Sequence, residues 1–394
     1  MKRIMLLEVY KTVNYAGGIE RVLCNFSNEF VKRGYEVTYV CLDREKGMPF
    51  YPLDKRVKFV NLCYEYPHYF GVEYYVTRAA KELKKVYLGK KKHLLGNTIS
   101  DPKKNYFEKQ FIFRLRQYLH NNEPDIMIGA DSQAVYIAQE ACHDTIPTVA
   151  MCHTDPLTLD NIPQHEIAAW RKTAAVQVLL DEYRQQFVAW GIKNIVTIAN
   201  VVVQRQVVFP RSVNQRIICA ARLEKIQKRP HLLLESFGMV ATKYPAWQLC
   251  FCGEISSAGY KKQLDALVNK YKINKQVVFA GQVKNIQEYL MQADIFAMPS
   301  NYEGFPLALT EAMSMGLAVV AYRSCRAAES LIVNGVTGIL SESGVEPLAE
   351  ALAALMQNKE KREALGAKAQ QAMVEFAPQK IWNKWEGLIN TYAR

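Results

Sequence analysis

Residues 293–321 place a strand, a glycine- and proline-containing loop, a helix and a second strand in immediate succession. Few architectures accept that order. Ala293–Met298 is an apolar run of strand length. Pro299, Ser300, Asn301, Glu303 and Gly304 break regular structure. From Pro306 the apolar positions Leu307, Leu309, Ala312, Met313 and Met315 fit a helix that Gly316 stops, and Leu317–Ala321 is again apolar. This is a βαβ unit, and it predicts an α/β fold with parallel strands.

Such units bind ligands at the carboxyl ends of their strands, where the loop enters the helix. The amides of Gly304, Phe305, Leu307 and Ala308 lie unpaired at that start and suit a phosphate, with Pro306 shaping the turn. Two acids flank the spot, Glu303 and Glu311. A carboxylate beside a phosphate is costly unless it binds something else on the same ligand, and sugar hydroxyls are the natural partners. Either glutamate alone reads as ordinary surface charge. The whole stretch describes a nucleotide-sugar site. It resembles the signature of glycosyltransferase family 4, retaining enzymes of the GT-B fold, which place two glutamates with seven residues between them in an EGFP-like context, as Glu303 and Glu311 stand here.

At 394 residues the chain is long enough for two domains, and 49% apolar with 22% charged residues is the composition of a soluble globular protein. No apolar run reaches the roughly 18 residues of a membrane span. Ile4–Val9 is too short for a signal peptide and reads as a first buried strand. Nine scattered cysteines, most within apolar runs, point to reduced core thiols in a cytoplasmic protein; Cys250 and Cys252 lack metal-ligand spacing.

The first half opens with a strand, a loop ending in Gly17-Gly18, a helix over Ile19–Lys32 and a strand over Glu36–Leu42. Glycines at that turn let a backbone approach a phosphate, or simply make a turn. GGIERV is similar to the glycine loop that in the family faces the donor diphosphate and the acceptor. Tyr69–Tyr118 is the least regular part, with twelve Lys/Arg against four acids and interleaved aromatics, most of the net charge of +12. The segment between Arg78 and Arg116 fits an anionic membrane surface, or a solvated face over packed aromatics. A nucleic-acid partner is not expected, because no RNP, helix-turn-helix or finger pattern appears. His153 and Asp155 follow a strand over Ile146–Cys152. The resemblance implies that His153 lies near the donor sugar and acceptor, with Asp155 a weaker candidate.

Asn200–Asn214 lacks helical period, contains Pro210 and reads as a linker between residues 1–199 and 215–377. Asn200 stands where the family has a contact residue. After a strand over Arg216–Ala220, Arg222 and Lys228 lie six apart before a helix near Pro230. Two cations there can hold the oxygens of a leaving diphosphate, or be part of a solvated basic loop; the pattern is similar to the family's diphosphate clamp. Gly253 ends another strand at a loop the family uses for donor contact, and the resemblance places Val283 beside the nucleobase. Cys325-Arg326-Ala327-Ala328-Glu329 departs from the family's Gly-Pro before a Glu. Residues 378–394 form a last helix that commonly returns to the first domain.

The resemblance implies two Rossmann-like domains facing across a cleft. The second would bind a nucleotide-sugar donor, with UDP-sugar the first choice, and the first a saccharide or lipid-linked saccharide acceptor. It also implies transfer of a hexosyl group with retention. Glu303, His153, Arg222 and Lys228 would carry the chemistry, with Glu311 on the ribose. No Asp-x-Asp element stands at a strand end, so no metal or other cofactor is expected. The context it suggests is bacterial cell-surface glycan assembly at the inner face of the cytoplasmic membrane. Competing readings are a glycoside hydrolase, which would have no use for Arg222, Lys228 and a phosphate cradle, a sugar-nucleotide epimerase on the same fold, and a non-catalytic basic binding or adaptor protein.

Overall fold

A computed structural model describes residues 1–9, 11–65, 102–159, 162–205 and 214–394. Short, fully buried apolar runs become parallel strands, because a parallel sheet covered on both faces leaves no room for alternation. The first sheet holds β1 (Arg3–Glu8), β2 (Glu36–Cys41), β3 (Lys58–Asn61), β4 (Ile126–Gly129), β5 (Thr148–Met151), β6 (Ala175–Val178) and β7 (Ile195–Thr197). Its order is β3-β2-β1-β4-β5-β6-β7. The second holds β8 (Arg216–Ala220), β9 (Gln248–Cys252), β10 (Val277–Gly281), β11 (Ile295–Met298), β12 (Ala318–Tyr322) and β13 (Ile339–Ser341). Its order is β10-β9-β8-β11-β12-β13. Every strand pairing is parallel. In each sheet the order reverses beside the first strand, which opens a crevice at the carboxyl ends. These are two doubly wound domains, as the α/β pattern predicts.

The last helix, Pro378–Tyr392, lies on the first domain. Trp382 and Trp385 meet Phe26 edge-on at 6.0 and 5.3 Å. Arg33 pairs with Glu386 at 2.7 Å, and Lys2 Nζ donates to the Ala393 carbonyl. The two passages of the chain between domains run side by side, joined where the Val202 amide donates to the Phe376 carbonyl at 2.9 Å.

The basic stretch differs from its sequence reading where it can be followed. Pro102–Leu119 is one helix with proline in its first turn. Phe111, Leu115 and Tyr118 recur at helical spacing and are buried in the first domain's core. The intervening charges hide that period. Arg114 is itself buried and donates to the Leu62 carbonyl at 3.2 Å, so it is not available to a surface. Arg78–Lys92, the centre of the membrane expectation, lies outside the described residues. Among those described, no helix is long and apolar enough to cross a membrane. The described cysteines are free and buried.

Candidate active site

The site grows from two loops tied to one another. After β8 the chain turns around Glu224, whose carboxylate accepts from the amides of Ile226, Gln227 and Lys228 at 2.6–2.8 Å. The Gln227 carbonyl then accepts from the Asn301 amide at 2.7 Å, and Arg229 Nε donates to the Pro299 carbonyl. The Arg222–Lys228 loop is thereby fixed to the loop after β11. Gly253 supports it from behind. A Cβ at this residue (φ +147°) would stand 1.8 Å from the Ala221 carbonyl oxygen, so only glycine lets the end of β9 close on the end of β8. Gly253 thus meets the main chain of this loop.

Lys228 and Glu303 meet across the junction. The Lys228 ammonium donates to both Glu303 oxygens at 2.6 and 2.7 Å, and Ser300 Oγ donates to Oε1 at 2.7 Å. Glu303 is buried, and its position is determined by two donors rather than by chance of rotamer. Beside them opens a cavity with room for about 200 Å³, lined by Gly18 of the first domain and by Lys228, Glu303, Phe305, Pro306 and Leu307 of the second. The Leu307–Ser314 helix points its free amides this way. With Ala308, which also lines it, seven residues picked from the sequence therefore converge on one space. Cys219 also lines it; burial pushes its thiol up to about 12, so it is no nucleophile at neutral pH.

The remaining candidates divide. Arg222 is exposed and is not among the residues lining this cavity; burial raises the carboxyl of Glu20 in the first domain, and the Arg222 charge draws it partly back down. Gly17 lies over the Glu20 carboxylate. Beneath this loop Glu8 accepts from Tyr39 and Thr12 hydroxyls, and burial holds its carboxyl far above the ordinary range. Asn200 and Glu311 face a second, smaller cavity of about 40 Å³, walled by Arg21, Trp382 and Trp385. Glu311 is paired there with Arg21 of the first domain. The geometry thus separates the two glutamates of the motif, with Leu307 lining both spaces. Val283 is half-buried against the hydrophobic core. Gly304 touches the other domain: a Cβ would stand 1.9 Å from the His153 carbonyl oxygen.

His153 encloses its Nε2 without a partner, and burial pushes the imidazole down to about 4. It is neutral near pH 7 and able to donate or accept one hydrogen bond. Between the ordinary value of 6.5 and about 4, the unfolded chain takes up a proton here that the folded chain refuses, so this residue lowers stability as pH falls through that window. The raised carboxyl of Glu8 acts with the opposite sign, contributing stability that is lost as pH rises. The difference between variants isolates the histidine: His153→Gln should melt with a shallower decline from pH 6.5 to 4.5 than wild type. Parallel melting curves would remove the enclosed neutral imidazole.

Sequence reading missed Arg21, Tyr183 and Arg326. Arg21 sat inside the quoted GGIERV run as a charge one turn beyond the glycines. Asp155, read as a weaker ligand, is engaged instead: it accepts from Arg326 of the second domain at 2.8 Å. Glu108, His165 and Glu166 gather their ligand atoms within 4.8 Å, away from these residues; Ser132 and Gln133 side chains already donate to the two carboxylates.

Two parallel-sheet domains with a cavity where they meet define the GT-B architecture. Solved structures agree. A TarM variant from S. aureus, in complex with fondaparinux, α-GlcNAc-glycerol and UDP, superposes with a TM-score of 0.76 at 18% identity, covering 99% of this chain and 100% of that one. HepE from Anabaena, in complex with UDP and glucose, gives 0.71 at 17% identity over 99% and 100%. In sequence, residues 16–204 match the family described as Glycosyltransferase Family 4, and residues 204–372 match Glycosyl transferases group 1. An uncharacterized glycosyltransferase of Haemophilus influenzae is 22% identical over 96% of this chain and 97% of its own. The amylovoran biosynthesis glycosyltransferase AmsD of Erwinia amylovora is 22% identical over 98% and 99%. The two matched regions together span residues 16–372, and the chain is a glycosyltransferase similar to those of family 4.

Proposed function

We propose that the protein transfers a hexosyl group, with retention of anomeric configuration, from a nucleotide sugar to a saccharide or lipid-linked saccharide in bacterial cell-surface glycan synthesis. The observation that carries this is Glu303, clamped by Lys228 and Ser300 at the edge of a cavity that also receives helix-start amides. A carboxylate held this way is an acceptor for sugar hydroxyls. The ammonium beside it, with Arg222 of the same loop, neutralises charge as a nucleoside diphosphate departs, usually the largest catalytic contribution. A UDP-sugar is the first choice of donor, supported by the UDP in the TarM and HepE complexes. The polysaccharide context rests on AmsD and on the capsular polysaccharide glycosyltransferase CapM of Staphylococcus aureus, 25% identical over 42% of this chain.

Retention follows if the acceptor hydroxyl attacks on the face the diphosphate leaves. A phosphate oxygen of the departing group then takes the acceptor proton, and the neutral His153 donates or accepts a hydrogen bond at the sugar. The cations of the chain supply the positive charge, so the reaction proceeds without a divalent metal. The reading also places the enzyme at the cytoplasmic face of the membrane.

A thermal-shift panel of UDP-, GDP-, ADP- and CDP-sugars in EDTA tests the donor. A ligand of the folded state raises the melting point. One base should do so, and Lys228→Ala should abolish the shift. No shift in EDTA but a clear one with magnesium would overturn the metal-free part; no shift under either condition would overturn the donor site. The anomeric proton of the isolated product, read by NMR, decides retention.

A further inference from the structure

The second domain does not hold the Glu303–Gly304 turn alone. Tyr183 of the first domain sends its hydroxyl between the carbonyls of Glu303 and Gly304, 2.9 Å from each. Its ring is fully buried, and burial pushes the phenol well above its usual range, so the hydroxyl stays a donor. Over that ring, 5.4 Å from its centre, lies the Arg326 guanidinium of the second domain. Arg326 donates to Asp155 at 2.8 Å and to the Glu182 carbonyl at 3.0 Å, both in the first domain. The contacts interleave: second-domain arginine, first-domain tyrosine, second-domain loop. They flank the point where Gly304 meets the His153 carbonyl.

We propose that Tyr183 is a positioning residue for Glu303, locked by the Arg326–Asp155 pair, so that the sugar-binding carboxylate reaches its working place only when the domains are closed. This rests on the role given to Glu303 above. Two features single these residues out. One hydroxyl shared between consecutive carbonyls fixes the peptide plane joining them, and that plane sets the direction of the Glu303 side chain and of the amides after it. The pair also ties the two domains through one side chain: the planar fork of Arg326 makes two donations and a ring contact that a lysine cannot reproduce. Asp155 is nearly enclosed, so removing Arg326 leaves a poorly solvated carboxylate.

The test uses the full chain and begins without ligand. Hydrogen exchange of residues 300–310, which include the bonded amides of Asn301 and Thr310, reports the turn directly. Tyr183→Phe keeps the ring and removes the shared donation; Arg326→Ala and Asp155→Ala each break the lock. All three should exchange there at least about fivefold faster, with the second sheet unchanged. The charge swap Asp155→Arg with Arg326→Asp should recover part of the protection. Unchanged exchange in both Tyr183→Phe and Arg326→Ala overturns the proposal, whatever the donor. With UDP-glucose as probe, or whichever nucleotide sugar shifts the wild-type melting point, the same variants should lower kcat about tenfold or more with donor KM nearly constant, the signature of an interaction made chiefly in the transition state. Faster exchange with unaltered kcat would overturn positioning and leave a structural clasp. Failure of every nucleotide sugar on wild type would instead fall on the donor reading.

Discussion

Glu303→Gln should lower the rate of sugar transfer about 100- to 1,000-fold while donor binding weakens only a few-fold. The range is that of removing one preorganised electrostatic contact from an enclosed site. The substitution keeps the shape of the side chain and its bond from Ser300, but removes the charge that Lys228 grips through both oxygens. Lys228 is left beside a neutral amide, so some loss of folded stability is expected as well. Melting curves must therefore accompany the kinetics. Lys228→Ala should cost a similar factor in kcat. The double variant should cost much less than the product of the two, because residues in contact share one interaction. Single-turnover release of nucleoside diphosphate is the measurement. A kcat within about threefold of wild type for Glu303→Gln would take the residue out of the site.

The second large effect comes from adding one methyl group. In Gly304→Ala the new Cβ would lie 1.9 Å from the His153 carbonyl oxygen, 2.6 Å from its carbon and 2.8 Å from Thr154 Cα. All three are backbone atoms, so no rotamer relieves the clash, and either the turn or the whole domain interface must retreat. A displacement of about 1 Å near the reacting atoms is enough for a hundredfold loss of rate. Gly304→Ala should therefore lose about that much activity with both domains still folded by circular dichroism, and X-ray scattering should show a more open particle. Gly259→Ala is the control, since a Cβ there meets nothing closer than Ser257 Oγ at 4.0 Å. Equal behaviour of the two variants would mean that the domains do not close on Gly304 in solution.

The strands were legible because a parallel strand buried on both faces is written as an unbroken apolar run, as in Ile295–Met298 and Ala318–Val320. The cavity was legible because Lys228, Glu303 and Phe305–Leu307 sit in the turns after two such runs, and neighbouring strands bring those turns together. The contacts between domains were not. Tyr183 finds its carbonyls 120 and 121 residues away, Arg326 finds Asp155 at 171, and Arg21 finds Glu311 at 290. No period or spacing encodes such a meeting; it depends on how two finished domains face each other. The Pro102–Leu119 helix was obscured for another reason. Its buried aromatics alternate with cations, one of which, Arg114, is itself inside.

The return of Pro378–Tyr392 to the first domain has a consequence for the order of events during synthesis. Phe26 and Phe30 emerge from the ribosome early, yet the tryptophans that cover them come after the entire second domain. At about 5–20 residues per second, the roughly 350 residues between Phe30 and Trp382 delay that covering by about 18–70 seconds. Throughout that interval the nascent first domain carries an open aromatic groove, the kind of surface a chaperone binds. The amino-terminal half is thus finished last, and the chain matures from its middle outward.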